Sequence, residues 1–262
     1  MLIVGELING MYKNIGAAIA ERNKKEIQRV AQEQVDAGAG ALDVNCGPLS
    51  KDPVSDMRWL VETIQEAVDI PLSIDSTKPK VIEEGLKLAK QKAIINSTSA
   101  DQEKLDIYLP MAKQYNASVI GLAIDKSGVP QDKDRRLELA AVIAAACQDV
   151  GFNLENLYLD PIVLPVNVAQ AQGINVIEAL REFVMLANPS PKTIVGLSNV
   201  SQGTCQRSLI NRIFLVMAIG AGLQAAILDP LDADLMNALI TAELILNKQI
   251  YCDSFLDAYR KK

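Results

Sequence analysis

Short runs of Val, Ile, Leu and Ala recur along the chain, each closing on a polar residue and each followed by residues of helical periodicity. The closing segments are VGELIN, LDVN, SIDS, IINS, AIDK, YLDP, GLSN and AILDP. Runs this short and this apolar fit strands of a parallel sheet covered by helices. Eight strand–helix cycles make a (β/α)8 barrel, the TIM barrel, and that fold places its chemistry at the C-terminal ends of its strands. The phase of the polar residues therefore nominates Glu6, Asn45, Asp75, Asn96, Asp160, Asn199 and Asp229 as side chains facing one mouth.

The helical stretches carry their own punctuation. Asn23, with Glu26 three residues on, predicts a first helix over 23–38 that ends at Gly38 and turns Ile27, Val30, Ala31 and Val35 inward. Asp52 and Pro53 open the second, with Met57, Leu60, Val61 and Ile64 on its apolar face. Further helices are expected over 79–90, around 105–112, and over 134–150, 176–187, 206–219 and 233–247. The segment PIVLPVNVAQAQG after the sixth strand is long and apolar and reads as a lid or floor near the mouth. Tyr251, Phe255 and Tyr259, four apart, read as one helical face used for capping or for a subunit contact.

Composition narrows the chemistry. The 262 residues contain no linker or low-complexity stretch, so 1–262 reads as one domain, and 49% apolar residues suffice for a large core. A net charge of −6 argues against a nucleic-acid surface, and the short basic pieces at Arg22–Lys25 and Arg260–Lys262 read as solvated. The amino terminus reads as a strand and not as a signal peptide. Residues 213–228 fall short of the roughly 20 needed for a membrane span and are broken by Gly220 and Gly222, so a cytoplasmic protein is expected. Cys46, Cys147, Cys205 and Cys252 form no C-x-x-C pair and suggest reduced thiols. Cys46 and Cys205 follow strands two and seven; apolar filler is the favoured reading over a place in the mouth. Histidine is absent, which removes a Ser-His-Asp triad, a His base and His-ligated metals. No tightly bound metal is expected, and chemistry rests on Asp, Glu, Asn, Lys or Arg.

The turns after strands seven and eight, LSNVSQGTCQR and ILDPLDAD, include one that is acidic and free of glycine, which disfavours a phosphorylated sugar. What remains is a ring of acceptors and amides: Asp75, Asn96, Asp160 and Asn199. Such a ring suits a flat heterocycle rich in N–H donors, such as a pterin, whose guanidine-like edge a carboxylate grips through two hydrogen bonds. A single such Asp reads better as a cap of the following helix or turn; three at successive strand ends favour a ligand.

The combination of LSNVSQG, SIDST, INST and LDPIVLP resembles the pterin-binding barrels, and among them is most similar to the methyltetrahydrofolate:corrinoid/iron-sulfur protein methyltransferases of acetogenic bacteria. The similarity runs from the VGE opening to the YCDSF tail. It implies transfer of the N5-methyl group of 5-methyltetrahydrofolate to the Co(I) corrinoid, a cobalamin, of a separate iron–sulfur protein, as in the reductive acetyl-CoA pathway. It also implies a homodimer. Carried over by motif, Asp75, Asp160 and Asn96 hold the pterin, and Asn199 contacts N5 as the catalytic residue. Because an amine leaves poorly, N5 needs a proton or a strong hydrogen bond, expected from the Asn199 amide and a network that includes Asp75.

Gln202 is assigned to the folate or corrinoid, with a plain loop role equally open, and Arg207 to the folate's negative tail or to a salt bridge. Asp43 and Asn45, and likewise Glu6 and Asn9, are expected to support the ring. Dihydropteroate synthase is a rival on the same fold, but it calls for basic residues and an Arg-x-His motif where this chain has AILDP. The folate module of methionine synthase, a methyltransferase working in the reverse direction, and a non-catalytic folate-binding subunit complete the alternatives.

Overall fold

The computed structural model describes residues 1–260, so Lys261 and Lys262 of the expected solvated basic end lie outside the described residues. Eight strands form a closed parallel barrel in sequence order: β1 (Leu2–Asn9), β2 (Ala41–Asn45), β3 (Leu72–Asp75), β4 (Ile94–Ser99), β5 (Ser118–Leu122), β6 (Leu157–Asp160), β7 (Lys192–Gly196) and β8 (Ala225–Leu228). β8 returns to pair with β1, so no strand edge is exposed. Each strand is followed by helix: α1 (Lys13–Ala20) and α2 (Lys24–Asp36), α3 (Pro53–Gln65), α4 (Pro79–Leu88), α5 (Gln102–Gln114), α6 (Lys133–Asp149), α7 (Val166–Ala169) and α8 (Gln172–Phe183), α9 (Arg207–Gly220), α10 (Ala233–Ile245) and α11 (Phe255–Arg260).

Side-chain alternation along the strands sorts the residues. Outward positions such as Leu42, Val44, Leu72, Ile74, Leu157 and Leu159 join the large core under the helices. Inward positions Val4, Ala41, Ile94, Ile120, Ile194 and Ala225, with Tyr158, form a separate cluster inside the barrel. Two residues further along the same strands, the inward positions line the mouth. There β1, β2, β3, β4 and β6 present Glu6, Asp43, Asp75, Asn96 and Asp160, while β5, β7 and β8 present Leu122, Gly196 and Ile227.

The expected caps form: the side chains of Asn23, Asp52 and Asp232 accept the backbone N–H groups of Glu26, Ser55 and Leu235. Three expectations need correction. Helix α1 precedes the first expected helix; its start lacks a capping side chain and it carries Gly16, so the sequence held no start signal. The 161–173 segment is not all loop, because α7 lies within it and α8 begins at Gln172. Buried Arg136 fastens this stretch, donating to the Pro161 carbonyl (2.8 Å) and to Gln172 Oε1 (2.9 Å). In the tail, Tyr251 precedes α11, so the three aromatics do not share one helix. Tyr259 Oη instead donates to the Ile250 carbonyl (2.8 Å), and Arg260 bonds Asn237 of α10, fixing the tail on the barrel.

The apolar stretch 213–228 divides between α9 and β8, and among the described residues no helix is long and apolar enough to cross a membrane. Cys46 and Cys147 are buried, although Cys46 also lines hollows beside the mouth, whereas Cys205 and Cys252 are exposed, so filler does not describe Cys205.

Candidate functional site

The inward layer at the C-terminal ends of the strands encloses a cavity of about 510 Å3, a size typical of small-molecule sites. Asp75, Asn96, Asp160, Asn199, Gln202 and Arg207 all line it, as do Asp43, Glu6 and Asn9. Asn45 and Asp229 stand one inward step beyond Asp43 and Ile227 and line adjoining hollows instead. Asp125 of the AIDK segment points away and pairs with Arg135 at 2.6 Å.

Four carboxyl groups share the cavity wall, three of them within a dense hydrogen-bond frame. Asp43 Oδ1 accepts from Ser73 Oγ (2.6 Å) and from Asn96 Nδ2 (3.0 Å). Asp75 Oδ2 accepts from Asn45 Nδ2 (2.6 Å), whose Oδ1 in turn accepts the Gly47 N–H (2.6 Å). Burial raises both Asp43 and Asp75, and the charge of Asp75 raises Asp43 further. Asp160 Oδ1 accepts the Ile162 N–H (2.7 Å), so the capping role is present too, but burial still pushes this carboxyl up to about 7. The Gly196 N–H acts on it as a second backbone donor, and acceptor capacity still remains, since a carboxylate takes several donors.

The other side of the mouth is built differently. Glu6 is pushed up to about 7 by burial, with a further rise from nearby Asp229, against the opposing pull of a hydrogen bond from Ser198 Oγ (2.5 Å) and of Arg207. Arg207 donates from Nε to Ser201 Oγ (3.2 Å) and from a terminal nitrogen to the Ser198 carbonyl (3.3 Å). Among the described residues it forms no salt bridge closer than 4.0 Å, so of its two foreseen roles the ion pair is not made.

Asn199 sits in a turn of 3-10 helix, Leu197–Ser201, directly after β7. Its side chain is exposed to the cavity, and no hydrogen bond from a described residue engages its amide. The absence of a side chain at Gly196 makes room for it: a Cβ there would stand 3.0 Å from Asn199 Nδ2. An acidic wall of constrained acceptors thus faces a free amide across the cavity.

Met11, Tyr12, Ser97, Leu122, Ser198 and Ile227 also line the site without having been foreseen. Leu122 and Ile227 had a signal, because each lies two residues beyond an inward-facing position of its strand. Met11 and Tyr12 had none, since they belong to the connection into the unanticipated α1.

The profile of the family described as "Pterin binding enzyme" matches residues 15–229. A protein of Eubacterium limosum named methylcorrinoid:tetrahydrofolate methyltransferase is 27% identical over 266 residues, covering 100% of this chain and 97% of the relative. The methionine synthase of Mycobacterium tuberculosis is 26% identical over 240 residues, which is 87% of this chain but 20% of that much longer protein. Among solved structures, the dihydropteroate synthase of Coxiella burnetii in complex with pteroic acid superposes with a TM-score of 0.72 at 15% identity, covering 95% and 94% of the two chains. The dihydropteroate synthase of Yersinia pestis gives 0.69 at 19% identity, over 94% of each chain. At such identities the likeness establishes the barrel and not the reaction. The profile match reaches from within α1 to Asp229, across the ends of β2 through β8 that build most of the cavity, and the chain therefore belongs to the family of pterin-binding enzymes.

Proposed function

We propose that this protein is a methyltransferase that moves a methyl group between N5 of tetrahydrofolate and the cobalt of a corrinoid carried by a separate protein. The observation that carries the reading is the pairing of constrained acceptors, Asp75, Asn96 and Asp160, with the unengaged Asn199 amide in one cavity. The pterin's N–H donors meet the carboxylates of Asp75 and Asp160, and the Asn96 amide completes the edge. Asn199 reaches N5. The full-length likeness to the Eubacterium limosum enzyme supports folate and corrinoid as the two methyl carriers.

The chemistry balances in both directions. Toward cobalt, the N5–CH3 bond breaks as Co(I) supplies the electron pair of the new Co–C bond and becomes Co(III). N5 takes up its proton before that bond breaks, so the pair left on N5 becomes the lone pair of a neutral N–H amine. Toward folate, the N5 lone pair attacks the methyl carbon, the Co–C pair stays on cobalt as Co(I), and N5 sheds a proton. Either way positive charge resides on N5 in the activated species, and a mouth walled by acids stabilises it; that preorganised field is how such a site lowers a barrier. Asn199 acts by orientation and hydrogen bonding, since an amide is no proton donor of useful acidity.

Within this reading the finer proposal is transfer from 5-methyltetrahydrofolate to the Co(I) centre of a corrinoid/iron–sulfur protein. The reverse direction is a second reading, favoured by the name of the relative that matches end to end. One catalyst accelerates both directions, so concentrations and the partner decide the net flow. Mixing the protein with Co(I) cobalamin and 5-methyltetrahydrofolate should convert the Co(I) spectrum to that of methylcobalamin, and methylcobalamin with tetrahydrofolate should show the reverse. Tight folate binding with no turnover in either direction, even with a corrinoid protein as partner, overturns the catalytic reading in favour of a binding subunit.

A further inference from the structure

Two hollows adjoin the cavity at the mouth. One of about 500 Å3, between the loops after β2 and β3, shares Met11 and Asp75 with it as wall residues. A smaller one of about 250 Å3, between β1, the turn after β7 and the loop after β8, shares Glu6, Tyr12, Ser198 and Arg207. The two hollows differ in charge. The smaller holds Glu6, Asp229 and Asp232 against Arg207 alone. The larger holds Lys78 and, as its one acid, Asp75, which is raised by burial and already bonded by Asn45.

A folate carries on its pterin an arm made of an aromatic p-aminobenzoyl unit and one or more glutamates, so the arm is apolar first and anionic at its end. We infer that the cleft between the β2 and β3 loops receives this arm, with Lys78 facing the glutamate carboxylate. The inference rests on the folate reading of the mouth and adds where the rest of that substrate lies. Met11, Pro48, Pro53 and Val81 supply apolar walls for the aromatic unit. Beyond them, no hydrogen bond or ion pair with a described residue engages the Lys78 ammonium, in a chain whose net charge is −6. The N-terminus of α4 begins at the next residue and adds its partial positive charge.

The cleft is built to a fixed shape. The Gly10 N–H donates to the Asn45 carbonyl at 2.8 Å, and a Cβ on Gly10 would lie 2.2 Å from the Cys46 carbonyl oxygen. Gly47 has φ +77° and packs directly on Gly10. A third hollow, which carries Lys51, adjoins the cleft at Cys46 and Ser50. The acids beside Lys51 are occupied: Asp56 pairs with Arg22 at 2.7 Å, and Asp52 caps α3. A second cation beside the cleft suits folates bearing several glutamates.

Equilibrium binding of three ligands tests this: 5-methyltetrahydrofolate with one glutamate, the same with three, and 6-methyltetrahydropterin, which lacks the arm. The wild-type protein should bind them in the order triglutamate, monoglutamate, pterin. Lys78→Glu should weaken both folates about tenfold at low ionic strength, less at high salt, and leave the pterin within about twofold. Lys78→Arg should restore folate affinity. Equal weakening of folate and pterin, no weakening of folate, or a loss of the folate-over-pterin preference in Arg207→Ala but not in Lys78→Glu overturns the arm site. Failure of the wild-type protein to bind any of the three ligands overturns the folate reading itself, and the arm site with it.

Discussion

The same strands of this barrel carry two inward layers with opposite character. Val4, Ala41, Ile94, Ile120 and Ile194 make the lower one, buried and apolar; Glu6, Asp43, Asp75, Asn96 and Asp160 make the upper one, buried or half-buried and polar. Two residues of strand, about 7 Å, separate them. The lower layer gains free energy by leaving water, while the upper layer raises the pKa of each of its acids by the same act of burial. Stability and function are therefore stacked in series along each strand, and a substitution reports on one or the other according to its layer.

The largest contrast should come from cutting each layer once. Ile194→Ala in the lower layer should lose about 2–5 kcal/mol in urea unfolding. Asp160→Asn in the upper layer keeps an oxygen for the Ile162 N–H and should leave stability at pH 8 equal or higher, while weakening folate binding about a hundredfold, as expected for loss of a charge-assisted pair of hydrogen bonds. A large stability loss in Asp160→Asn would erase the distinction between the layers.

Within the upper layer, the acceptors and the free amide should separate in kinetics. Asn199→Ala should lower the single-turnover rate of methyl transfer about a hundredfold and change the folate dissociation constant no more than about threefold. Equal losses would place Asn199 with the binding residues. Gly196→Ala should act through Asn199, because the new methyl group meets its amide nitrogen; about a tenfold loss of rate with an unchanged melting temperature is expected.

The smallest effect is the pH dependence of stability. Glu6 and Asp160 titrate near 7 in the fold and near about 4 in the unfolded chain. Between those values the folded protein holds protons that the unfolded chain releases, so their contribution is full below about pH 4 and is lost as pH rises through 7. Asp160→Asn should flatten its share of that slope in thermal melts between pH 5 and 8. An unchanged slope would mean that the carboxyl is not held up by burial.

The barrel itself was legible in the chain because its signal is periodic. Each strand is short, apolar and closed by a polar residue, and the eightfold recurrence leaves one architecture that buries all of it. The same phase located Asp75, Asn96 and Asp160 in one cavity, as inward positions of their strands, and Asn199 joins them from the turn that follows β7. Helix α1 and the short α7 were not legible, lacking capping side chains, and the residues that depend on α1, Met11 and Tyr12, went unseen with it.

Local pattern, then, determined the strands, their order and the supply of acids at their ends, because hydrophobic alternation and turn chemistry act over a few residues. Tertiary structure alone decided the rest. Closure of β8 onto β1 set which carboxyls share a wall, bringing Ser198 to Glu6 across 192 positions and Asn96 to Asp43 across 53. It likewise decided that Asn45 and Asp229, in phase with the others by sequence, stand one step above the cavity and not in it. Burial, partner and neighbouring charge are properties of the assembled barrel, and they fix how each acid titrates; no stretch of chain contains them by itself.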